Sequence, residues 1–145
     1  MIVMKMESSL NPAASNPYSN ATGLIQFMPA TAAGLGTSVQ ALKTMSNTDQ
    51  LDYVYKYFQP YSGRLHSVED LYTVTFFPRA LGQPDSYVLQ TDSIAAGTIA
   101  AQNQAYDIDR NQSITAGELR ASILKGIPSD VRIFAETATD YVVKK

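Results

Sequence analysis

Glu7 is the first acid of the chain, and no second Asp or Glu follows it until Asp49. It sits beside Val3, Met4, Met6 and Leu10 in the segment MIVMKMESSLNP. Partial burial on such an apolar segment raises a carboxyl pKa, so the group can hold a proton near neutral pH and deliver it to a leaving oxygen. Taken by itself, a glutamate is usually an exposed surface acid. The surrounding residues decide between the two readings.

A second chemistry-bearing stretch is DIDRNQSITAGE, Asp107 to Glu118. Its spacing is that of a twelve-residue EF-hand loop. Asp107, Asp109 and Asn111 fall at the first, third and fifth places, Ser113 offers its carbonyl at the seventh, Thr115 stands at the ninth, and Glu118 closes the loop at the twelfth. A hard cation such as Ca2+ takes about six to eight oxygen ligands, and this pattern supplies oxygen donors alone. One element departs from the pattern: the sixth place holds Gln112, not glycine. A non-glycine residue held there in a left-handed conformation costs on the order of 1 kcal/mol. The competing reading is an acidic turn ahead of a helix, because Thr115 and Glu118 also have capping-box spacing. The expected role of a bound Ca2+ is structural, not sensory.

Composition removes several other chemistries. The chain has no cysteine and one histidine, His66. Disulfides, thiolate catalysis and Cys-based zinc sites are excluded, and Ser-His-Asp or multi-histidine chemistry is disfavoured. His66 lies in a polar segment and is expected to be exposed. The net charge of −2 exerts no strong pull toward nucleic acid or an anionic membrane. No stretch approaches the roughly 20 apolar residues of a membrane span, and MIVMKM is followed by no signal-peptide core. Neither a nucleic-acid partner nor membrane insertion is therefore expected. Hydrophobic content of 45% and charged content of 17% suit a globular chain, read here as one domain over residues 1–145.

The elements that must position these groups read as mainly helical. Residues 2–9 form a first helix with Ile2, Val3, Met6 and Leu10 on one side, stopped by Asn11-Pro12. NPAASNPYSNATG is turn-rich, LIQF is short and extended or irregular, and Pro29 suits the first turn of a helix ending near Gly34 and Gly36. Leu51, Val54, Tyr55 and Phe58 mark a helix closed by Pro60. Ser67 and Asp70 have capping-box spacing ahead of a helix to about Phe77. Residues 93–106 are helix-compatible, and Val131, Phe134, Ala135, Ala138, Tyr141 and Val142 trace a final amphipathic helix.

The order of motifs around Glu7 carries a resemblance. Glu7-Ser8, Asn11-Pro12, Ala21-Thr22-Gly23, Gly23-Leu24-Ile25-Gln26 and Met28-Pro29-Ala30-Thr31 closely resemble the catalytic region of the lytic transglycosylase SLT family, in the lysozyme superfamily. The later stretch LDYVYKYFQPYSGRLHSVEDLYTVTFFPRALGQPDSYVL is similar, more weakly, to phage-type members, and some SLT-type enzymes carry a calcium loop. The resemblance implies a mainly α, lysozyme-like fold of the α+β superfamily and a peptidoglycan substrate cut at the MurNAc–GlcNAc β-1,4 bond. It implies Glu7 as acid and then base, Gln26 beside Glu7 or the substrate N-acetyl group, Ser8 steadying the helix end, and Gly23 letting backbone approach the sugar. Tyr18 and Phe27 are candidates for stacking on sugar rings, with core packing as the alternative. The family's later tyrosine is followed by an Asn-Ala-Gly run that this chain lacks, so Tyr72 is only its nearest counterpart.

Most glycosidases pair two carboxyl groups about 5–5.5 Å or about 6.5–9.5 Å apart. From Ser8 to Thr48 this chain supplies none, which leaves Asp49, Asp52 or Asp70 as partners from further along. The gap fits a transglycosylase, in which the substrate's N-acetyl group assists and the sugar's C6 hydroxyl closes a 1,6-anhydro product. A hydrolytic muramidase is the alternative within the enzyme class. An inactive calcium-stabilised wall-binding or structural virion module is the alternative outside it. The phage-type resemblance implies a monomer or part of a larger virion protein, brought to the cell wall by the virion or acting at lysis.

Overall fold

Regular structure within residues 1–129, the part of the chain that the computed structural model describes, is helical. Seven α-helices and two single-turn 3₁₀ segments are present among these residues. No strand forms among them, and extended pairing is limited to isolated bridges of Thr22 with Ser15 and with Phe27, and of Val88 with Thr115. The mainly helical, lysozyme-like class expected from the sequence is the class observed. The chain comprises two compact units, Met1–Gly63 and another beginning at Arg64.

The first unit contains α1 (Ile2–Ser8), α2 (Pro29–Gly34), α3 (Val39–Thr44), α4 (Asn47–Phe58) and a 3₁₀ turn at Gln59–Tyr61. Helix α1 ends earlier than Asn11-Pro12 would require. Ser9 and Leu10 both take left-handed φ values, 53° and 64°. Their N–H groups donate back to the carbonyls of Lys5 and Met4, at 3.0 and 3.2 Å. Leu10, expected on the apolar side of the helix, thus lies beyond it and is exposed. Proline opens α2 as expected, since its missing N–H is unneeded in a first turn.

Two caps set the next elements. Ser38 Oγ accepts from the Ala41 N–H at 3.1 Å and starts α3, a helix too short to show a period. Ser46 and Asp49 form a reciprocal capping box at the start of α4. In α4 the stripe read as apolar is turned relative to the core: Leu51 and Tyr55 are exposed, while Gln50 is fully buried and Val54, Tyr57 and Phe58 are half-buried. The core of this unit is Val3, Leu24, Ile25, Phe27, Ala32 and Leu42.

The second unit contains α5 (Val68–Phe76), a 3₁₀ turn at Pro78–Ala80, α6 (Ala96–Gln102) and α7 (Ala116–Gly126). Ser67 Oγ caps α5 by accepting from the Asp70 N–H, as its spacing suggests. The return bond differs, because the Asp70 carboxylate accepts the N–H of His66 at 2.9 Å instead of that of Ser67. Helix α6 is shorter than 93–106, since Thr91 Oγ1 takes the Ile94 N–H in a turn before it and Asn103 closes a turn with Tyr106 after it. Val74, Leu89, Ile99, Ile114, Leu119 and Ile123 form the core here. The final helix expected over residues 131–142 lies outside the described residues. No helix among those described is long and apolar enough to cross a membrane.

Candidate active site

Glu7 is half-buried in the last turn of α1. The next residue fastens that turn to the rest of the unit: the Ser8 hydroxyl lies 2.9 Å from the Met4 carbonyl and 3.0 Å from the Leu24 carbonyl. A hydroxyl has one proton, so it serves one of these acceptors at a time. Either way, the end of α1 is held against the Gly23–Gln26 turn. That turn is closed by paired bonds between Thr22 and Phe27, at 3.0 and 2.8 Å, and by the Gln26 N–H donating to the Gly23 carbonyl.

Gln50 of α4 supports the turn from beneath. Its Oε1 accepts the Leu24 N–H at 2.9 Å, and its Nε2 donates to the carbonyls of Pro12 and Leu42, each at 2.7 Å. Gly23 has φ +88°, and a Cβ built there would meet Gln50 Oε1 at 2.5 Å. Only glycine tolerates both that conformation and that approach. The glycine expected to admit a sugar therefore has a demand from inside the protein as well. Nothing in the spacing of the sequence singled out Gln50.

Gln26 also takes a left-handed φ, 53°. Its Nε2 donates to the carbonyls of Ala14 and Gly23, at 3.3 and 3.1 Å. This orients the amide in a half-buried position on the same turn. Phe27 is 2% exposed and meets Tyr57 edge-on at 6.1 Å between ring centres. Packed this way, it offers no open face to a sugar, and the core reading of Phe27 replaces the stacking one. Tyr18 is the opposite case, 96% exposed at a turn where Asn16 Oδ1 accepts the N–H groups of Tyr18 and Ser19. Tyr72 lies in the second unit, buried in α5, with its hydroxyl 3.1 Å from that of Tyr106.

Tyr57 is a residue that sequence reasoning missed. Burial first, then the charges of Tyr61 and Glu7, push its phenol up to about 12. The Glu7 carboxylate is thus near enough to α4 to be felt there. The other acids have local duties. Asp49 completes the α4 cap, Asp70 holds the start of α5, and Asp52 is exposed on α4.

In the second unit the loop at 107–118 draws its acids together. Asp107, Asp109 and Glu118 each offer a carboxylate oxygen within 4.8 Å of the others. Backbone donors hold them: Asp107 accepts from the N–H groups of Asn111 and Gln112, and Glu118 Oε1 accepts from those of Ile108 and Asp109. Asn111 Oδ1 accepts from the Ser113 N–H and hydroxyl. The capping-box reading also holds, because Glu118 Oε2 accepts from the Thr115 N–H and hydroxyl. Desolvation would raise the Glu118 pKa, but bonds from Thr115, Asp109 and Ile108 outweigh it and hold the carboxyl below its ordinary value. Gln112 has φ +68° and Arg110 φ +58°, so the sixth place takes the left-handed form without glycine. An oxygen-only donor set with three converging carboxylates fits Ca2+.

Residues 1–59 match the family model of the transglycosylase SLT domain. The match ends just inside the first unit and holds Glu7, Ser8, Gly23, Gln26 and Gln50. Over this stretch the chain is similar to the SLT family, whose model describes a transglycosylase domain. The match covers less than half of the chain and leaves residues 60–145 unclassified. No curated protein and no solved structure matches the chain.

Proposed function

We propose that the protein is a peptidoglycan lytic transglycosylase in which Glu7 is the single acid/base. The observation that carries this reading is the SLT match over the stretch where Ser8 ties the Glu7 turn to the Gly23–Gln26 turn and Gln50 holds that second turn to α4. The Glu7 carboxylic acid gives its proton to the oxygen of the MurNAc–GlcNAc bond as the bond from C1 to that oxygen breaks. The substrate's N-acetyl oxygen stabilises C1. Glu7, now a carboxylate, takes the proton of the C6 hydroxyl while that oxygen bonds to C1, and the glutamic acid is restored. No water is consumed, so the two products together weigh what the substrate weighed. The local duties of Asp49 and Asp70 favour a one-carboxyl mechanism over a paired one.

Mass spectrometry of digested peptidoglycan tests the reaction. Products ending in 1,6-anhydro-MurNAc are expected. Reducing MurNAc ends, one water heavier, would sink this reading in favour of a muramidase, and an undigested wall would favour an inactive binding module. Delivery by a phage virion is part of the same proposal and rests on the phage-type resemblance of the middle of the chain.

Asp107, Asp109, Asn111, Ser113, Thr115 and Glu118 are proposed to hold one structural Ca2+, which would neutralise three converging acids and brace the start of α7. Ca2+ at about 100 times its dissociation constant adds about 2.7 kcal/mol to the folded state. The melting temperature is therefore expected to fall by several degrees in EGTA. An unchanged melting temperature removes the calcium claim. Gln112→Gly should tighten Ca2+ binding and raise stability by up to about 1 kcal/mol, because glycine takes the left-handed φ without strain.

A further inference from the structure

The loop of residues 107–118 borders a cleft of about 600 Å3 in the second unit, a size within the range of ligand pockets. Helix α6 forms the floor: Gly97, Ala100 and Ala101 share one face of it, so no side chain there is longer than a methyl group. Gly97 is not demanded by the packing of the protein. A Cβ built on it would meet the Gln112 carbonyl at 3.7 Å, an ordinary contact. The rim is polar, with Gln104 just beyond α6 and Arg110 and Gln112 from the loop. Asp107 is the one acid in the lining, and its two oxygens already accept from the N–H groups of Asn111 and Gln112. Arg110 is the one cation there, and among the described residues its guanidinium makes no ion pair and no hydrogen bond.

A guanidinium and two amide side chains above a bare floor suit an anion with several acceptor oxygens. A phosphate ester supplies more of these than a carboxylate does, and the planar fork of arginine matches it. Charge decides when such an anion can enter. Asp107, Asp109 and Glu118 lie within 4.8 Å of one another and sum to −3, and Arg110 adds +1, so the loop alone leaves −2 beside the cleft. A Ca2+ held by the three acids brings that sum to zero. We propose that this cleft binds a phosphate ester, with Arg110 and the Gln104 and Gln112 amides on its oxygens, when the loop holds Ca2+. The inference rests on the calcium reading and goes beyond it, since the loop would control a binding site as well as brace α7. By linkage, the ester tightens Ca2+ by the same factor as Ca2+ tightens the ester.

NMR titration of the isotope-labelled 145-residue chain tests it with two probes. Glycerol 3-phosphate stands for a free monoester and short poly(glycerol phosphate) for a chain of diesters. With Ca2+ present, amide shifts are expected at Ala101, Gln104, Arg110 and Gln112, and the probe bound more tightly per phosphate identifies the source. In EGTA the affinity should fall about tenfold, a usual size for coupling between sites. Arg110→Gln should weaken the ester about fivefold, the scale of one exposed ion pair, yet tighten Ca2+, because a positive charge beside the loop is gone. A merely structural role for Arg110 would weaken both. Ala101→Leu fills the floor away from the loop, so it should weaken the ester and leave Ca2+ affinity as it is. The inference is overturned by an absence of shifts with both probes, by equal affinity in Ca2+ and EGTA, or by an affinity that Arg110→Gln leaves unmoved. If Ca2+ alone does not shift the loop amides, the calcium reading fails and the inference with it; a loop that binds Ca2+ beside a cleft that binds no ester sinks the inference alone.

Discussion

Glu7→Gln is expected to slow the release of soluble glycan from peptidoglycan by about 1000-fold, inside the range that one positioned general acid supplies. The amide matches the carboxyl in size but can neither give the proton that the leaving oxygen needs nor take the one from the C6 hydroxyl. Both halves of the reaction therefore fail together. The melting temperature should stay within about 2 °C of the wild type, since an isosteric change at a half-buried position is usually worth less than about 0.5 kcal/mol. Glu7→Asp separates position from chemistry. It keeps the acid but withdraws it by one methylene, and a loss between those of the wild type and Glu7→Gln is expected. If Glu7→Gln digests the wall at the wild-type rate, the assignment of Glu7 is wrong.

The second large effect falls on Gln50, which touches no substrate in the proposed reaction. Gln50→Ala leaves two backbone groups without partners, the Leu24 N–H and the Pro12 carbonyl, and takes one of two donors from the Leu42 carbonyl, which keeps the Met45 N–H. Each buried polar group so stranded costs about 1–3 kcal/mol, and partial rehydration keeps the expected total near 3 kcal/mol. A fall in melting temperature of about 10 °C follows for a chain of this size. Gly23→Ala should be destabilising for the reciprocal reason, its new Cβ driven onto Gln50 Oε1 from a backbone with positive φ. Because both substitutions break one contact, the double variant should lose less than the sum of the single losses. Additive losses in thermal unfolding would show that the two residues do not act as a unit.

Much of the site was legible in one dimension, because several of its parts are local. Glu7 and Ser8 are adjacent, Gly23 to Pro29 form a continuous string, and the acids of 107–118 follow a spacing that one loop can satisfy. The caps at Ser67 and Thr115 were readable on the same ground, since a side chain three residues from its partner needs no tertiary contact. Where the reading slipped, the deciding contacts were distant. The stripe Leu51, Val54, Tyr55 and Phe58 identified α4 correctly as a helix. However, burial of Gln50 turned Leu51 and Tyr55 outward, because three backbone partners in other segments outweigh the hydrophobicity of an exposed leucine. Phe27 looked available to a sugar until Tyr57, thirty positions away along the chain, was found against its ring. Helix α1 ended at two left-handed residues, and neither Ser9 nor Leu10 announces that conformation by its type.

The sequence by itself determined the helical class, the isolation of Glu7 among the early residues, the SLT motif order and the oxygen-only loop. Each depends on residue type and short spacing. Only the tertiary structure decided that Gly23 is required by Gln50, that Phe27 belongs to the core and Tyr18 to the surface, and that burial raises the Tyr57 phenol. The physical reason is common to all of these. A side chain's burial, partners and field are set by the segments packed against it, and those are chosen by the fold as a whole.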